Sequence, residues 1–272
     1  MNLIEKKMKH AMMSLVSYMT YGKWQLKTAY SDIYNGQEKS RLIQEIFKEA
    51  FGEEFPEDLD NFSFVTLTDL NNIATFFNIN SGELIADIAC GRGGPGMWVA
   101  RKTGANLIGV DISEDAVRFA KNRIPEFDLK GRADFNVGNF YQTGLETNSC
   151  NSVMCVDALW MAVDREQTFS EINRAMKTGG RFVFTTWEGN IPFLRDDIRT
   201  LLQNSGFEVI QYQETEGWKE RQLSVYEKIM ENKNRLIQEM GQKYAGPILK
   251  EAKSTPAILD NSRRVMIVAE KK

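Results

Sequence analysis

A glycine turn led by an acid constrains this chain more than any other feature. Asp87-Ile88-Ala89-Cys90-Gly91-Arg92-Gly93 closes the apolar run Leu84-Ile85-Ala86 and opens onto Gly94-Pro95-Gly96, with a helical segment after it. The pattern reads as the strand-to-helix turn of a nucleotide-type fold, with a carboxylate four residues before Gly91. A second carboxylate, Asp111, ends the next apolar run, Leu107-Ile108-Gly109-Val110, twenty positions after Gly91. Two acids at neighbouring strand ends, beside a glycine turn, suit a cationic ligand that carries a ribose.

Two ligands compete for such a turn. Gly91-x-Gly93-x-x-Gly96 also satisfies the dinucleotide fingerprint, with Asp111 where the ribose-binding acid belongs. Three details oppose a pyrophosphate. Asp87 would direct its charge toward the anion that a helix N-terminus holds. Pro95 removes one backbone N–H from the turn. The ammonium of S-adenosylmethionine, by contrast, is attracted to a nearby carboxylate, and the attraction grows as the site dries. S-adenosylmethionine is therefore the expected cofactor, with a dinucleotide and an empty structural turn as the remaining alternatives.

Bulk properties narrow the class of partner. The chain has 272 residues, of which 42% are hydrophobic and 26% charged, as in an ordinary globular protein. Its net charge of -3 leaves no electrostatic footprint for nucleic acid. The three cysteines (Cys90, Cys150 and Cys155) have no framework spacing, which points to a reducing, cytoplasmic setting. Lys6, Lys7 and Lys9 ahead of Ala11–Val16 mimic a signal peptide. The apolar run is short and no cleavage site follows, so an amphipathic helix is expected. No stretch approaches transmembrane length, and no membrane role is expected.

Hydrophobic periodicity divides the chain into four parts. Residues 1–80 read as a helical N-terminal cap, with Leu42, Ile46, Phe47, Ala50 and Phe51 on one face. Leu70, Ile73, Ala74 and Phe77 repeat that spacing after the capping candidates Thr66 and Thr68. Residues 81–217 alternate short apolar strands with amphipathic helices, the pattern of a cofactor-binding parallel sheet. Strands are expected at 84–89, 106–111, 133–137, 152–157, 181–187 and 207–212, with helices near 96–103, 113–123, 164–177 and 195–204. Residues 218–262 form a charged helical insertion, a lid or association surface that permits homodimerisation. Residues 263–272 supply the last strand. The expected fold is an α/β, Rossmann-like three-layer sandwich on a seven-stranded mixed sheet with an antiparallel last strand.

With these elements placed, the chain resembles the class I S-adenosylmethionine-dependent methyltransferases, in detail from Glu83 to Glu188 and in outline to Lys272. Asp87-x-Ala89-x-Gly91-x-Gly93 is similar to the family's first motif, and Gly109-Val110-Asp111-Ile112-Ser113 to its second. Val137-Gly138-Asn139-Phe140 resembles the third, with Asn139 where Asp is usual. Ser152–Asp157 resembles strand four. Arg174-Ala175-Met176-Lys177-Thr178-Gly179-Gly180 resembles the lead into strand five, with Thr178 in place of proline. The Cys90–Gly96 variant is similar to that of the small-molecule (natural-product and quinone-type) branch.

The resemblance implies a role for each matching residue. Ala89, Gly91 and Gly93 would offer backbone groups to the methionine moiety, and Asp87 would face its ammonium through water. Asp111 would accept the ribose hydroxyls, Ile112 would lie against adenine, and Asn139 would meet an adenine edge under the cover of Phe140. Asp157 would stand where methyl and acceptor meet, or merely cap a turn. The implied activity is methyl transfer to a small organic acceptor. A relative that binds the cofactor but catalyses another reaction, such as cyclisation, is the second reading.

No catalytic residue declares itself. Methyl transfer from a sulfonium needs alignment and exclusion of water more than acid–base help. The sole histidine, His10, lies in the N-terminal helix and reads as solvated. Pocket candidates are therefore aromatic: Tyr18 and Tyr21 on one helical face, Tyr30 and Tyr34 on another, Trp24 nearby, and Trp160, Trp187 and Trp218 from strand ends. Such rings can hold a planar substrate, stabilise a sulfonium by about 0.5–2 kcal/mol, or simply dock the cap. Asn190-Ile191-Pro192-Phe193 resembles the Asn-Pro-Pro-Tyr motif of base methyltransferases, but follows the wrong strand. Asp196-Asp197 reads as a solvated helix start, and no metal site is expected.

Overall fold

The computed structural model describes residues 23–60, 62–189 and 197–272, with side chains from residue 27 onward. Tyr18, Tyr21, His10 and the 190–193 segment lie outside them, as does the Trp24 side chain. Seven strands form one sheet: β1 Leu84–Ile88, β2 Asn106–Asp111, β3 Ala133–Val137, β4 Cys150–Cys155, β5 Met176–Gly189, β6 Phe207–Glu214 and β7 Ser262–Lys271. Their spatial order is β3-β2-β1-β4-β5-β7-β6. The first five run parallel, and β7 pairs antiparallel with both β5 and β6. This is the mixed seven-stranded sheet, antiparallel at its last strand, that the alternating pattern implies.

Side chains that alternate along the strands build two cores, one on each face. On one face Ile85, Leu107, Met154, Val183, Met266 and Val268 meet helices α3 (Leu67–Phe76), α4 (Gly94–Thr103) and α5 (Glu114–Arg123). On the other, Ala86, Val110, Val153, Cys155, Phe182, Phe184, Val265 and Ile267 meet α6 (Arg165–Ala175) and α7 (Ile198–Asn204). Phe182 and Phe184 stack at 4.5 Å and both lie against Phe169, worth about 0.5–1.5 kcal/mol per pair beyond burial. The start of α3 is fixed by a capping box: Asp69 N donates to Thr66 Oγ1 and Thr66 N donates to Asp69 Oδ2.

A third core lies outside the sandwich. Helices α1 (Lys23–Gln37) and α2 (Leu42–Phe51) pack against the insertion, which forms α8 (Trp218–Glu231), α9 (Lys233–Met240), α10 (Gln242–Ser254) and α11 (Pro256–Leu259). Ile43, Ile46, Phe47, Val225, Ile229, Leu236, Ile248 and Leu249 are buried there together. Cap and insertion, far apart in sequence, thus bury each other's apolar faces. Helix α3, expected to belong with the cap, packs on the sheet instead, because Leu70 and Ile73 complete the β1 side of the core.

Several boundaries differ from the sequence expectation for local reasons. β4 ends at Cys155, so Asp157 stands beyond the strand at φ 56°. Helix α6 stops at Ala175 and β5 begins at Met176, before rather than after Gly179-Gly180. Among the described residues, no helix is long and apolar enough to cross a membrane.

Candidate functional site

The carboxyl ends of β1, β2 and β4 open into one cleft, where an open α/β sheet binds ligands. Its cavity volume is about 190 Å³. Asp87, Ala89, Gly91, Asp111, Ile112, Asn139, Phe140 and Asp157 all line it. Gly93 does not; its ideal Cβ would come within 2.7 Å of Phe135, so its role is close packing.

The turn after β1 is shaped by the second acid. Asp111 Oδ2 accepts the Gly91 N–H at 2.8 Å, and Asp111 Oδ1 accepts the Ser113 N–H at 2.8 Å. One carboxylate therefore fixes the glycine turn and the cap of α5 together. Gly91 has φ 54° and Ala89 has φ 59°, a left-handed conformation that strains alanine. A Cβ on Gly91 would lie 2.8 Å from the Tyr34 hydroxyl, and one on Gly96 would lie 2.5 Å from Asp87 Oδ2. Glycine is needed at both positions for close approach.

Asp87 is only 1% exposed, and its Oδ2 has no hydrogen-bond partner. Burial, and secondarily the Asp111 charge, push its carboxyl from an ordinary 3.8 up to about 8, with the Gly96 N–H pulling the other way. An orphaned carboxylate oxygen beside a cleft costs free energy until a cation or donor reaches it. Burial also raises the Asp111 carboxyl, an effect opposed by the N–H groups of Ser113, Gly91 and Ile112. The Tyr34 and Cys90 groups are raised by the same burial and by Asp111. Asn139 closes a turn with its carboxamide oxygen, which accepts from Tyr141 N at 2.9 Å and Gln142 N at 3.1 Å. Ile112, 38% exposed, presents an apolar face to the same space.

Aromatic residues divide into two groups. Tyr30, Tyr34, Phe62, Phe140 and Tyr141 line the cleft, with Tyr30 and Tyr34 rings 6.1 Å apart on α1. Trp160, Trp187 and Trp218, expected at the pocket from strand ends, do not line it. Trp187 and Trp218 are buried in the third core, where their indole N–H groups donate to Gln222 Oε1 at 3.0 Å and Glu214 Oε1 at 2.8 Å. Trp160 packs at the edge of that core and donates to the Asp157 carbonyl at 3.0 Å. Indoles need an N–H partner when buried: Trp187 finds it on α8, Trp218 at the end of β6 and Trp160 just beyond β4.

Two features escape sequence reasoning. Arg92, in the middle of the glycines, is 4% exposed and pairs with Glu38 at 2.6 Å and Asp60 at 3.0 Å. It also donates to the Tyr34 carbonyl at 3.2 Å, so the glycine turn and the cap are locked together. A basic residue between glycines, with acids in the preceding helical region, is the available signal. Helix α1 is tied to α5 as well, by Ser31 Oγ–Ser113 Oγ at 2.7 Å and Asn35 Nδ2 donating to Asp115 Oδ2 at 2.9 Å. Asp157 is the other surprise. Arg264 Nε and Thr185 Oγ1 donate to its Oδ1 at 2.9 and 2.8 Å, while Ser63 Oγ and Phe64 N donate to its Oδ2 at 2.8 and 3.0 Å. That carboxylate is saturated by protein. No group of metal-ligating side chains occurs among the described residues.

A family model described as a methyltransferase domain matches residues 86–184. Sterol 24-C-methyltransferase ERG6 of Saccharomyces cerevisiae is 32% identical over 156 residues, covering 48% of this chain and 41% of that one. Methyltransferase GfsG of Streptomyces halstedii is 28% identical over 104 residues, 38% of this chain and 37% of that protein. The chain thus spans about two fifths of the length of these relatives. Among solved structures, Haemonchus contortus phosphoethanolamine N-methyltransferase 2 in complex with S-adenosyl-L-methionine shares the fold. Its TM-score is 0.65 at 22% identity, over 83% of this chain and 56% of that one. The [4+2]-cyclase SpnF matches at TM-score 0.65 and 18% identity, over 74% and 79% of the two chains.

Proposed function

We propose that this protein binds S-adenosylmethionine and transfers its methyl group to a small, largely apolar organic acceptor. The observation that carries the reading is the buried, unpartnered Asp87 Oδ2 beside Asp111 in one cleft. A cationic nucleoside supplies both missing partners: an ammonium for Asp87, and ribose hydroxyls for the lone pairs that Gly91 and Ser113 leave on Asp111. A pyrophosphate would set two like charges against these acids. Asn139 spends its oxygen on its own turn, so an adenine edge falls to its amide nitrogen. Ile112 and Phe140 give apolar cover.

When bound, the cofactor supplies an electrophilic methyl group; the protein supplies alignment and a dry path. The phenol rings of Tyr30, Tyr34 and Tyr141 line the cleft and would stabilise positive charge on an acceptor held there. Both oxygens of Asp157 are occupied by Arg264, Thr185, Ser63 and Phe64, so an acceptor that needs no strong base suits the site. Arg92, the permanent cation among the described lining residues, is spent on Glu38 and Asp60. This supports a neutral or cationic acceptor over a phosphorylated one. Free, buried Cys90, Cys150 and Cys155 fit a reducing, cytoplasmic setting.

Incubation with methyl-labelled S-adenosylmethionine and an organic extract of the producing cells tests the reading. Label should pass to an extract component with release of S-adenosylhomocysteine. Cofactor retained but never demethylated would overturn methyl transfer and favour a non-methylating reaction.

A further inference from the structure

Arg264 is buried to 1% exposure in β7, far in sequence from every residue of the glycine turn. Its Nε donates to Asp157 Oδ1 at 2.9 Å, and its Nη1 donates to Asp69 Oδ2 at 2.8 Å and Thr215 Oγ1 at 3.0 Å. Burial alone would lower its pKa, but Asp157 and Asp69 hold the guanidinium above its ordinary value. Each carboxylate in turn grips one end of a short segment. Asp157 Oδ2 accepts from Ser63 Oγ at 2.8 Å and Phe64 N at 3.0 Å; Asp69 Oδ2 accepts from Thr66 N at 3.2 Å. Within the segment, Val65 N donates to Ser63 Oγ at 3.2 Å.

Residues 63–66 are therefore held at both ends by two carboxylates that share one arginine. Phe62 and Ser63 line the cleft. Ser63 and Phe64 are bonded to Asp157 just beyond β4, whereas Asp87 and Asp111 stand on β1 and β2. The β4 side is the space left for an acceptor.

We propose that Arg264 is a positioning residue for the acceptor wall: through Asp157 and Asp69 it fixes residues 62–66 against the methyl-transfer end of the cleft. The proposal rests on the methyltransferase reading for its purpose, though the geometry stands without it. Arg264 also reaches the root of the insertion, since Thr215 both donates to its carbonyl and accepts from its guanidinium, just ahead of α8. The wall, the start of α3 and the base of the insertion thus share one anchor. A guanidinium suits the task because its planar fork serves several acceptors at fixed angles, which an ammonium cannot.

Amide hydrogen exchange of the full chain tests this in three proteins: wild type, Ser63→Ala and Arg264→Lys. Ser63→Ala buries no unpaired charge, so it should fold even if changes at Arg264 do not. Exchange at residues 63–66 should quicken about tenfold in Ser63→Ala and at least as much in Arg264→Lys, with β1 residues 84–88 unchanged. S-adenosylhomocysteine affinity of Ser63→Ala should stay within about threefold of wild type, while label transfer to the cell extract falls about tenfold. Unaltered exchange at 63–66, an equal rise in β1, or a parallel loss of S-adenosylhomocysteine affinity would overturn the proposal. Failure of the wild type to bind S-adenosylhomocysteine would instead sink the cofactor reading, and the exchange comparison of ligand-free proteins would still decide the role of Arg264.

Discussion

Replacing Asp87 with asparagine should make the ligand-free protein more stable and the cofactor bind more weakly. In the folded chain the Asp87 proton is held to about pH 8, whereas the unfolded chain loses it near the ordinary 3.8. Folding therefore takes up a proton throughout that window. The stability this group contributes is fully present below about pH 4 and is lost as pH rises through 8. The slope is about 1.4 kcal/mol per pH unit, or about 6 kcal/mol across the full window. Asparagine does not titrate, so the melting temperature of Asp87→Asn minus that of wild type should climb with pH. For a chain of this size each kcal/mol is worth about 2 °C, which gives roughly 3 °C per pH unit between pH 5 and 8 and a plateau above. Differential scanning calorimetry of both ligand-free proteins across that range reads the slope directly. On the proposed assignment of Asp87 to the cofactor's ammonium, the same substitution should weaken S-adenosylmethionine binding about 10- to 100-fold. A melting-temperature difference that stays flat from pH 5 to 8 would refute the buried-acid argument, and unchanged affinity would refute the assignment of Asp87 to the ammonium.

Further expectations concern neighbouring groups. Asp111→Asn should weaken S-adenosylmethionine by about 10- to 100-fold in calorimetric titration, since the proposed acceptor of the ribose is lost together with one anchor of the turn. Gly96→Ala should abolish binding and cost about 1–3 kcal/mol in denaturant unfolding, because its Cβ would sit 2.5 Å from Asp87 Oδ2 and 3.0 Å from Asp87 Cβ. Arg264→Ala should destabilise by about 3–5 kcal/mol, as two buried carboxylates lose their common partner. Urea denaturation followed by far-ultraviolet dichroism checks that value.

The sheet was legible in the sequence because its apolar strands are short and evenly punctuated, and Asp87 and Asp111 were legible because acids end two of them. Parallel strands bring their carboxyl ends together, so spacing alone put these acids side by side. Asp157 marked its strand end equally well, yet its commitment to Arg264 was invisible. That contact spans a stretch of 107 positions, and antiparallel β7 returns only after the whole insertion. Aromatic side chains misled in the same way. Helical spacing put Tyr30 and Tyr34 on one face but could not say that Trp187 and Trp218 turn toward the accessory core. Nor could periodicity show that the N-terminal helices and the insertion share one core. Each carried an apolar face without an evident partner, and that common deficit was the one available hint.

Binding measured by isothermal titration calorimetry tests the central assignment most directly. S-adenosylmethionine and S-adenosylhomocysteine should each saturate one site per chain at about micromolar Kd. Near pH 7 each should also release close to one proton as Asp87 ionises against the ammonium, a release absent in Asp87→Asn. NADH should give no heat. Tight uptake of NADH, with neither S-adenosyl compound bound, would contradict the account at its root.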